Sequence, residues 1–371
     1  MSSGPTEQTL MSPEEKRRLL AKLLQKKAGE AKTYPVSFSQ RRFWFLDQLE
    51  PGNPVYNIAV PDAFPGDWDI DVVRRAVNEI VRRHGSLRTV FRTVDEEPVQ
   101  HVLPVLEIDV PFIDLSGLPP EEVRAESGRI ATGERMRAFD LEHGPLIRCT
   151  FVKLGPGSNV FILCTHHIVG DGWSNGIFLN ELRVLCAAFA AGEPSPLPPL
   201  PIQYHDFALW QREQVSGEAL ERQLEYWRGQ LAGAAEVLEL PTDRPRPPTQ
   251  RYEGATTKFL VPLYTVDALN ALTREEGASL FMTLLAAFQV VLSRWSGQTS
   301  VVVGTPIAGR TRPEVERLIG FFVNTLALHT DLSGDPSFRE AVRRVRTTML
   351  GAYGHQEIPF DLLVDELGVE R

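Results

Sequence analysis

Apolar positions divide the chain into helical and extended stretches. Val73, Ala76, Val77, Ile80 and Val81 recur at helical spacing with arginines opposite them, which predicts an amphipathic helix. Residues 147–154 and 159–165 are apolar runs separated by Gly155-Pro156-Gly157, the pattern of two strands around a turn. A helix over 174–190 should follow, with Ser174 placed to cap it. Helical patterns occupy about 203–232, and a strongly apolar helix runs from about 279 to 295. Strand-like runs at 300–304 and 321–330 precede a last helix ending near Gln356. Near the start, Ser12, Pro13 and Glu15 form a helix opening, and Leu19, Leu20, Leu23 and Leu24 line one face. That short helix fits a packed appendage and a docking element equally well.

Pro194, Pro196, Pro198, Pro199 and Pro201 crowd one stretch, where fixed φ and missing donors favour an extended connector. The expected organisation is a tail and short helix at 1–34, a first lobe at 35–193, the connector at 194–202, and a second lobe at 203–371. The mixture of elements predicts an α/β protein. At 371 residues, 43% hydrophobic and 23% charged, the chain can bury two cores. A formal net charge of -9 argues against nucleic acid or an anionic membrane as main partner. Cys149, Cys164 and Cys186 sit in apolar runs without metal-ligand spacing, which predicts buried free thiols. No charged head precedes an apolar run at the N-terminus, and no apolar stretch reaches the roughly 18–20 residues of a membrane span. A cytoplasmic protein is the expectation.

The stretch Thr165-His166-His167-Ile168-Val169-Gly170-Asp171-Gly172-Trp173-Ser174 carries the candidate chemistry. Two histidines end an apolar strand, an acid lies four residues after the second, and glycines loosen the backbone before a helix. Neighbouring side chains of an extended strand point to opposite faces, so His166 and His167 are poorly placed to share a metal, and none is expected. No GxSxG elbow and no cysteine beside a histidine suggest an acyl-enzyme. His167, with an ordinary imidazole, suits proton acceptance near neutral pH.

This loop resembles the HHxxxDG signature of non-ribosomal peptide synthetase condensation domains. The resemblance extends to Ser39-Gln40-Arg41-Arg42-Phe43-Trp44-Phe45-Leu46, Arg83-His84-Gly85-Ser86-Leu87-Arg88-Thr89-Val90-Phe91 and Tyr204-His205-Asp206-Phe207-Ala208-Leu209-Trp210-Gln211-Arg212. It continues in Ile319-Gly320-Phe321-Phe322-Val323-Asn324-Thr325-Leu326 and His355-Gln356-Glu357-Ile358-Pro359-Phe360-Asp361. Of these, Trp44, Phe45 and Leu46 read as core, because large apolar side chains are mostly buried.

The resemblance implies two chloramphenicol acetyltransferase-like lobes in a V-shaped pseudo-dimer, with a tunnel open at both ends. It implies amide bond formation between an upstream carrier-bound acyl or peptidyl thioester and the amine of a downstream carrier-bound aminoacyl thioester. His167 would be catalytic, with Gly172 offering a backbone N–H. His166 and Asp171 would support the loop, Asp171 through an arginine of the other lobe, for which Arg310 is first choice and Arg88 second. Trp173, Ser174 and Asn324 would lie near substrate. Phosphopantetheine would come from the carrier proteins and not from a cofactor of this chain, and a fused adenylation domain is expected after the C-terminus.

The wording HHIVGDGWS resembles domains joining two L-residues, and a fatty-acyl starter domain remains close to it. His329 stands where the family often has arginine, and the chain stops where a last motif would begin, so a fragment of a longer polypeptide is expected. The rivals are a coenzyme A-dependent acyltransferase and a non-catalytic recruitment platform.

Overall fold

A computed structural model describes residues 31–245, 247 and 254–368; the helix read at 12–27 lies outside them. The first lobe runs through β1 (Lys32–Pro35), α1 (Phe38–Leu49), β2 (Asn57–Ala63), α2 (Ile70–Arg83), β3 (Thr89–Val94), β4 (Glu97–Val102) and β5 (Phe112–Asp114). It closes with α3 (Pro120–Met136), β6 (Ile147–Gly155), β7 (Ser158–His166) and α4 (Gly172–Ala190). The remainder contributes α5 (Tyr204–Gln214), α6 (Gly217–Gln230), α7 (Leu263–Glu275), α8 (Leu280–Ser296) and β8 (Ser300–Ile307). Last come β9 (Asn324–Asp331), α9 (Phe338–Gly354) and α10 (Phe360–Leu367).

The hairpin expected around Gly157 forms: β6 and β7 pair antiparallel with Phe151 opposite Phe161. They lie inside a mixed sheet ordered β2-β7-β6-β5, and β1-β4-β3 make a smaller one. Helix α2 buries Val73, Val77 and Ile80 against Phe161 of the sheet and Leu182 of α4. A buried side chain of this size contributes about 1.5–3 kcal/mol, which is why the periodic face was legible. Helix α3 has no buried residue, so its sequence carries no comparable stripe.

A second core gathers Leu285, Ala286, Leu328, Val342 and Val345 from α8, α9 and the antiparallel β8–β9 pair. Helix α6 joins that core through Leu224 and Trp227. Helix α5 lies against the first lobe: Gln203, at its start, accepts from Gly85 N at 2.8 Å, and Arg212 Nε donates to Val36 O at 2.8 Å. The expected boundary at 203 therefore falls before a helix that sits on the seam.

Two local readings are corrected. The strand read at 321–330 begins at Asn324, because Phe321 O and Phe322 N–H bond side chains of Tyr204 and Asp171 rather than a neighbouring strand. In α1 the buried ring is Phe43, while Phe45 is exposed. Gln40 and Phe43, three residues apart, share the inward face.

Among the described residues, no single helix is long and apolar enough to cross a membrane.

Candidate active site

Strand β7 delivers its last residue, His166, opposite Asn57 of β2. His167–Val169 then form one 3-10 turn, and Asp171 caps α4. Asp171 Oδ1 accepts from Ser174 N at 2.8 Å, so the cap is Asp171 and not Ser174 as the sequence pattern suggested. A carboxylate at this position also complements the partial positive charge of the helix start.

The two histidines face different surroundings. His166 is buried, with edge contacts to Phe43, Tyr56 and Phe139. Its Nδ1 accepts the Ile168 N–H at 3.1 Å. Burial lowers its pKa to about 3, so it stays neutral and braces the turn.

His167 is half-buried. Its Nδ1 lies 2.8 Å from Gly170 O, an atom that only accepts, so Nδ1 carries the proton and Nε2 presents a lone pair. The imidazole stacks on Phe43 at 5.5 Å between centroids and meets Phe321 edge-on at 5.0 Å. Burial holds its pKa below the ordinary value of 6.5, against the opposing pull of Gly170 O and Asp171. The ring is therefore a neutral proton acceptor at pH 7.

Phe321 also lines a cavity whose wall includes Ser39, Trp210, Arg312, Asn324 and Gln356. A second cavity reaches His166 past Tyr56 and Asp47.

Asp171 is fully buried and meets the Arg310 guanidinium at 3.3 Å. Its Oδ2 accepts Phe322 N at 3.0 Å, and its Oδ1 is 2.7 Å from Ser174 Oγ. Arg310 Nη2 also donates to Ser174 Oγ at 2.9 Å, and its Nη1 donates to Leu318 O at 2.8 Å. The arginine expected first is thus the one that meets Asp171. Arg88, the second choice, is not brought there: its guanidinium donates to Val81 O at 3.1 Å and to the carbonyls of Leu103 and Pro104.

The residues expected near substrate all have structural partners, and Asn324 among them also lines the cavity at Phe321. Ser174 is buried in the Asp171 cluster and exchanges hydrogen bonds with Gly320 O and N at 2.8 and 3.1 Å. Asn324 Nδ2 donates to Gln356 O at 3.0 Å and Ile358 O at 2.8 Å, and its Oδ1 accepts Phe360 N, which ties β9 to α10. Trp173 is half-exposed and anchors itself through Nε1 to Glu316 O at 3.1 Å. Gly172 opens α4, and a Cβ added there would meet nothing within 4 Å.

Further residues act at the seam without having been assigned a role from sequence. Tyr204 OH donates to Phe321 O at 2.6 Å and lies 2.9 Å from Ser37 Oγ. Buried His84 takes Ile319 N at Nδ1 (3.3 Å) and bonds Glu181 through Nε2 at 2.9 Å. Gln40 donates to Ile168 O in the histidine turn at 3.2 Å. The spacing Ser37-x-x-Gln40, a capping-box pattern, was the available signal for the last.

All three cysteines are free and buried, and burial pushes the Cys164 thiol up to about 11 and that of Cys186 to about 12. None is a thiolate at neutral pH.

The site thus holds a neutral histidine whose Nδ1 is bound to Gly170 O and whose Nε2 can accept a proton. The chain matches the Condensation domain family over residues 30–371 and belongs to that family. It is 50% identical over 339 residues to a component of the linear gramicidin synthase of Brevibacillus parabrevis, covering 91% of this chain and 6% of the relative. It is 43% identical to phosphinothricin tripeptide synthetase PhsC of Streptomyces viridochromogenes, covering 91% of this chain and 31% of the relative. The chain thus spans a small part of the length of these relatives. Its fold is similar to that of the X-domain from teicoplanin biosynthesis, solved as a complex with OxyB. The TM-score there is 0.82 at 25% identity, over 92% of this chain and 74% of the solved one.

Proposed function

We propose that this chain joins an upstream carrier-bound acyl or peptidyl group to the amine of a downstream carrier-bound aminoacyl group. The observation that carries the reading is the His167 tautomer: Nδ1–H is bound to Gly170 O, which leaves Nε2 as an acceptor on a ring that meets Phe321, itself part of a cavity wall. One of the two relatives is named as a tripeptide synthetase, which is the same chemistry, and the other as a gramicidin synthase.

In this reading the acceptor amine attacks the donor thioester carbonyl, and a C–N bond forms. Nε2 of His167 takes the proton released from the amine. The tetrahedral adduct collapses with cleavage of the C–S bond, and the imidazolium returns the proton to the departing thiolate. An α-amine titrates near about 7.7–8.0, so a useful fraction is already free base and no strong base is required. Positioning of amine and carbonyl then supplies much of the rate, up to about 7–11 kcal/mol in favourable cases. Gly172 N–H at the start of α4 is the proposed donor to the reacting polar atoms.

The two phosphopantetheine arms that this reading needs would each belong to a carrier protein, and the cavities at Phe321 and at His166 are the proposed places for them to enter. The proposed partners are those carriers and an adenylation domain of the same assembly, and the proposed subtype joins L-residues. A second reading, a recruitment platform without turnover, is favoured by the teicoplanin X-domain, whose complex with OxyB gives this fold a protein partner.

Carrier-loaded donor and acceptor, followed by mass spectrometry of the carriers, separate these readings. Dipeptidyl or acyl-aminoacyl carrier that disappears in His167→Ala is the expected result. Carrier binding without product would overturn the reading in favour of recruitment. Turnover only with a free coenzyme A thioester would favour the coenzyme A-dependent alternative.

A further inference from the structure

We propose that Gln40 of α1 is a positioning residue for His167, holding the histidine turn at the depth the reaction needs. The inference rests on the amide-forming role of His167 argued above.

The peptide between His167 and Gly170 has few ways to be held. The Ile168 N–H is taken by His166 Nδ1 at 3.1 Å, from within the same segment. The Ile168 carbonyl reaches across to α1, where Gln40 Nε2 donates to it at 3.2 Å. Gln40 is 1% exposed, so this bond is shielded from water. Its other oxygen partner is Gln100 Oε1, at 3.4 Å from the same nitrogen, and Gln100 Nε2 donates to Pro35 O at 2.8 Å.

The orientation of the Gln40 amide is forced. Its Oε1 faces Ser37 N at 3.0 Å, which only donates, and its Nε2 faces Ile168 O, which only accepts. A flipped amide would set like atoms against each other at both ends.

Three residues along the same helix, Phe43 stacks on the His167 ring itself. One face of α1 therefore fixes the backbone of the turn through Gln40 and the plane of the imidazole through Phe43. Without the Gln40 amide, the Ile168 carbonyl would be left without this partner in a buried place, and the turn would move to find another. A displacement near 1 Å of a reacting group costs about a hundredfold in rate.

The test compares Gln40→Met, which keeps volume and removes all three hydrogen bonds of the amide, with Ser37→Ala, which removes the helix cap and the contact to Tyr204 OH and keeps the amide donor to Ile168. Ring resonances of His167 in the histidine-labelled full chain report its packing without any need for turnover, and carrier-to-carrier transfer reports kcat and KM. The expected result for Gln40→Met is a folded protein whose kcat falls by about tenfold to a hundredfold with KM for both carriers nearly unchanged. Its His167 ring signals should lose the shifts imposed by Phe43 and Phe321. Ser37→Ala should lower the melting temperature while leaving those signals in place.

Wild-type His167 signals in Gln40→Met, or the same displacement in Ser37→Ala, would overturn the assignment. Should Gln40→Met not fold, Gln40→Glu, which keeps the acceptor for Ser37 N–H and loses the amide donor, is read in the same way. A wild-type chain that makes no product would count against the amide-forming role, whereas the ring resonances would still decide whether Gln40 places His167.

Discussion

Asp171 and Arg310, 139 residues apart in sequence, meet at 3.3 Å with each side chain only 1% exposed. The pair joins the histidine loop to the segment between β8 and β9. Because Asp171 also accepts Ser174 N and Phe322 N, its loss would strand backbone donors as well as a guanidinium. Asp171→Ala should destabilise the protein by about 3–5 kcal/mol, measured by urea denaturation. Asp171→Ala combined with Arg310→Met should recover part of that loss, since the buried charge is removed too. An Asp171→Ala protein of wild-type stability and no activity would instead give the carboxylate a direct role in catalysis.

Acid should weaken the fold through its buried imidazoles. His84 and His166 have pKa values lowered by burial from 6.5, the latter to about 3. The unfolded chain binds these protons near 6.5 and the folded chain does not. The stability is therefore complete above that pH and declines below it. Each histidine should reduce the folded-to-unfolded ratio roughly tenfold per pH unit until its folded pKa is reached. Denaturation midpoints taken from pH 7.5 down to pH 5, values chosen to bracket about one unit either side of an ordinary histidine, check this.

The pH dependence of turnover should carry the mark of His167. Its lowered pKa keeps it neutral somewhat below 6.5, so an acidic limb in kcat should lie under that value. The limb should vanish from the residual activity of His167→Ala, which is expected to be reduced by about a hundredfold or more. A limb that survives the substitution belongs to another group.

Gly172→Ala separates stability from activity. A Cβ there meets open space, and alanine suits a helix better than glycine by up to about 1 kcal/mol. Thermal stability should hold or rise, while transfer should fall if the reacting atoms approach this backbone N–H. Unchanged transfer would show that no reacting atom packs against the Cα of Gly172, since alanine keeps the backbone N–H.

Gly309 sits at φ +64°, where a Cβ would overlap the Phe322 carbonyl. Gly309→Ala should cost at least about 1–3 kcal/mol from backbone strain alone. Displacing Phe322 would also loosen its bond to Asp171, so transfer should fall together with the melting temperature.

The hairpin of β6 and β7, the helices α2, α4 and α8, and the loop bearing His167 were legible from residue patterns. Each rests on local periodicity or on a motif whose residues adjoin in sequence. The start of β9 was misread because an apolar run does not reveal where its backbone bonds go. Phe321 and Phe322 look like strand residues, yet Tyr204 and Asp171 take their polar groups. Ser174 looks like a cap for the same reason, being one residue type among several that fit a helix start.

By itself the sequence determined the family, the histidine loop and, once the resemblance was applied, the arginine that meets Asp171. Only the tertiary structure decided that Arg88 turns to the carbonyls of its own neighbourhood and that Asn324 braces α10. It also brought Gln40, Phe43 and Phe321 around one imidazole. The reason is physical: periodicity reports that a face is buried, whereas the partner across a seam is chosen by how distant segments close on each other.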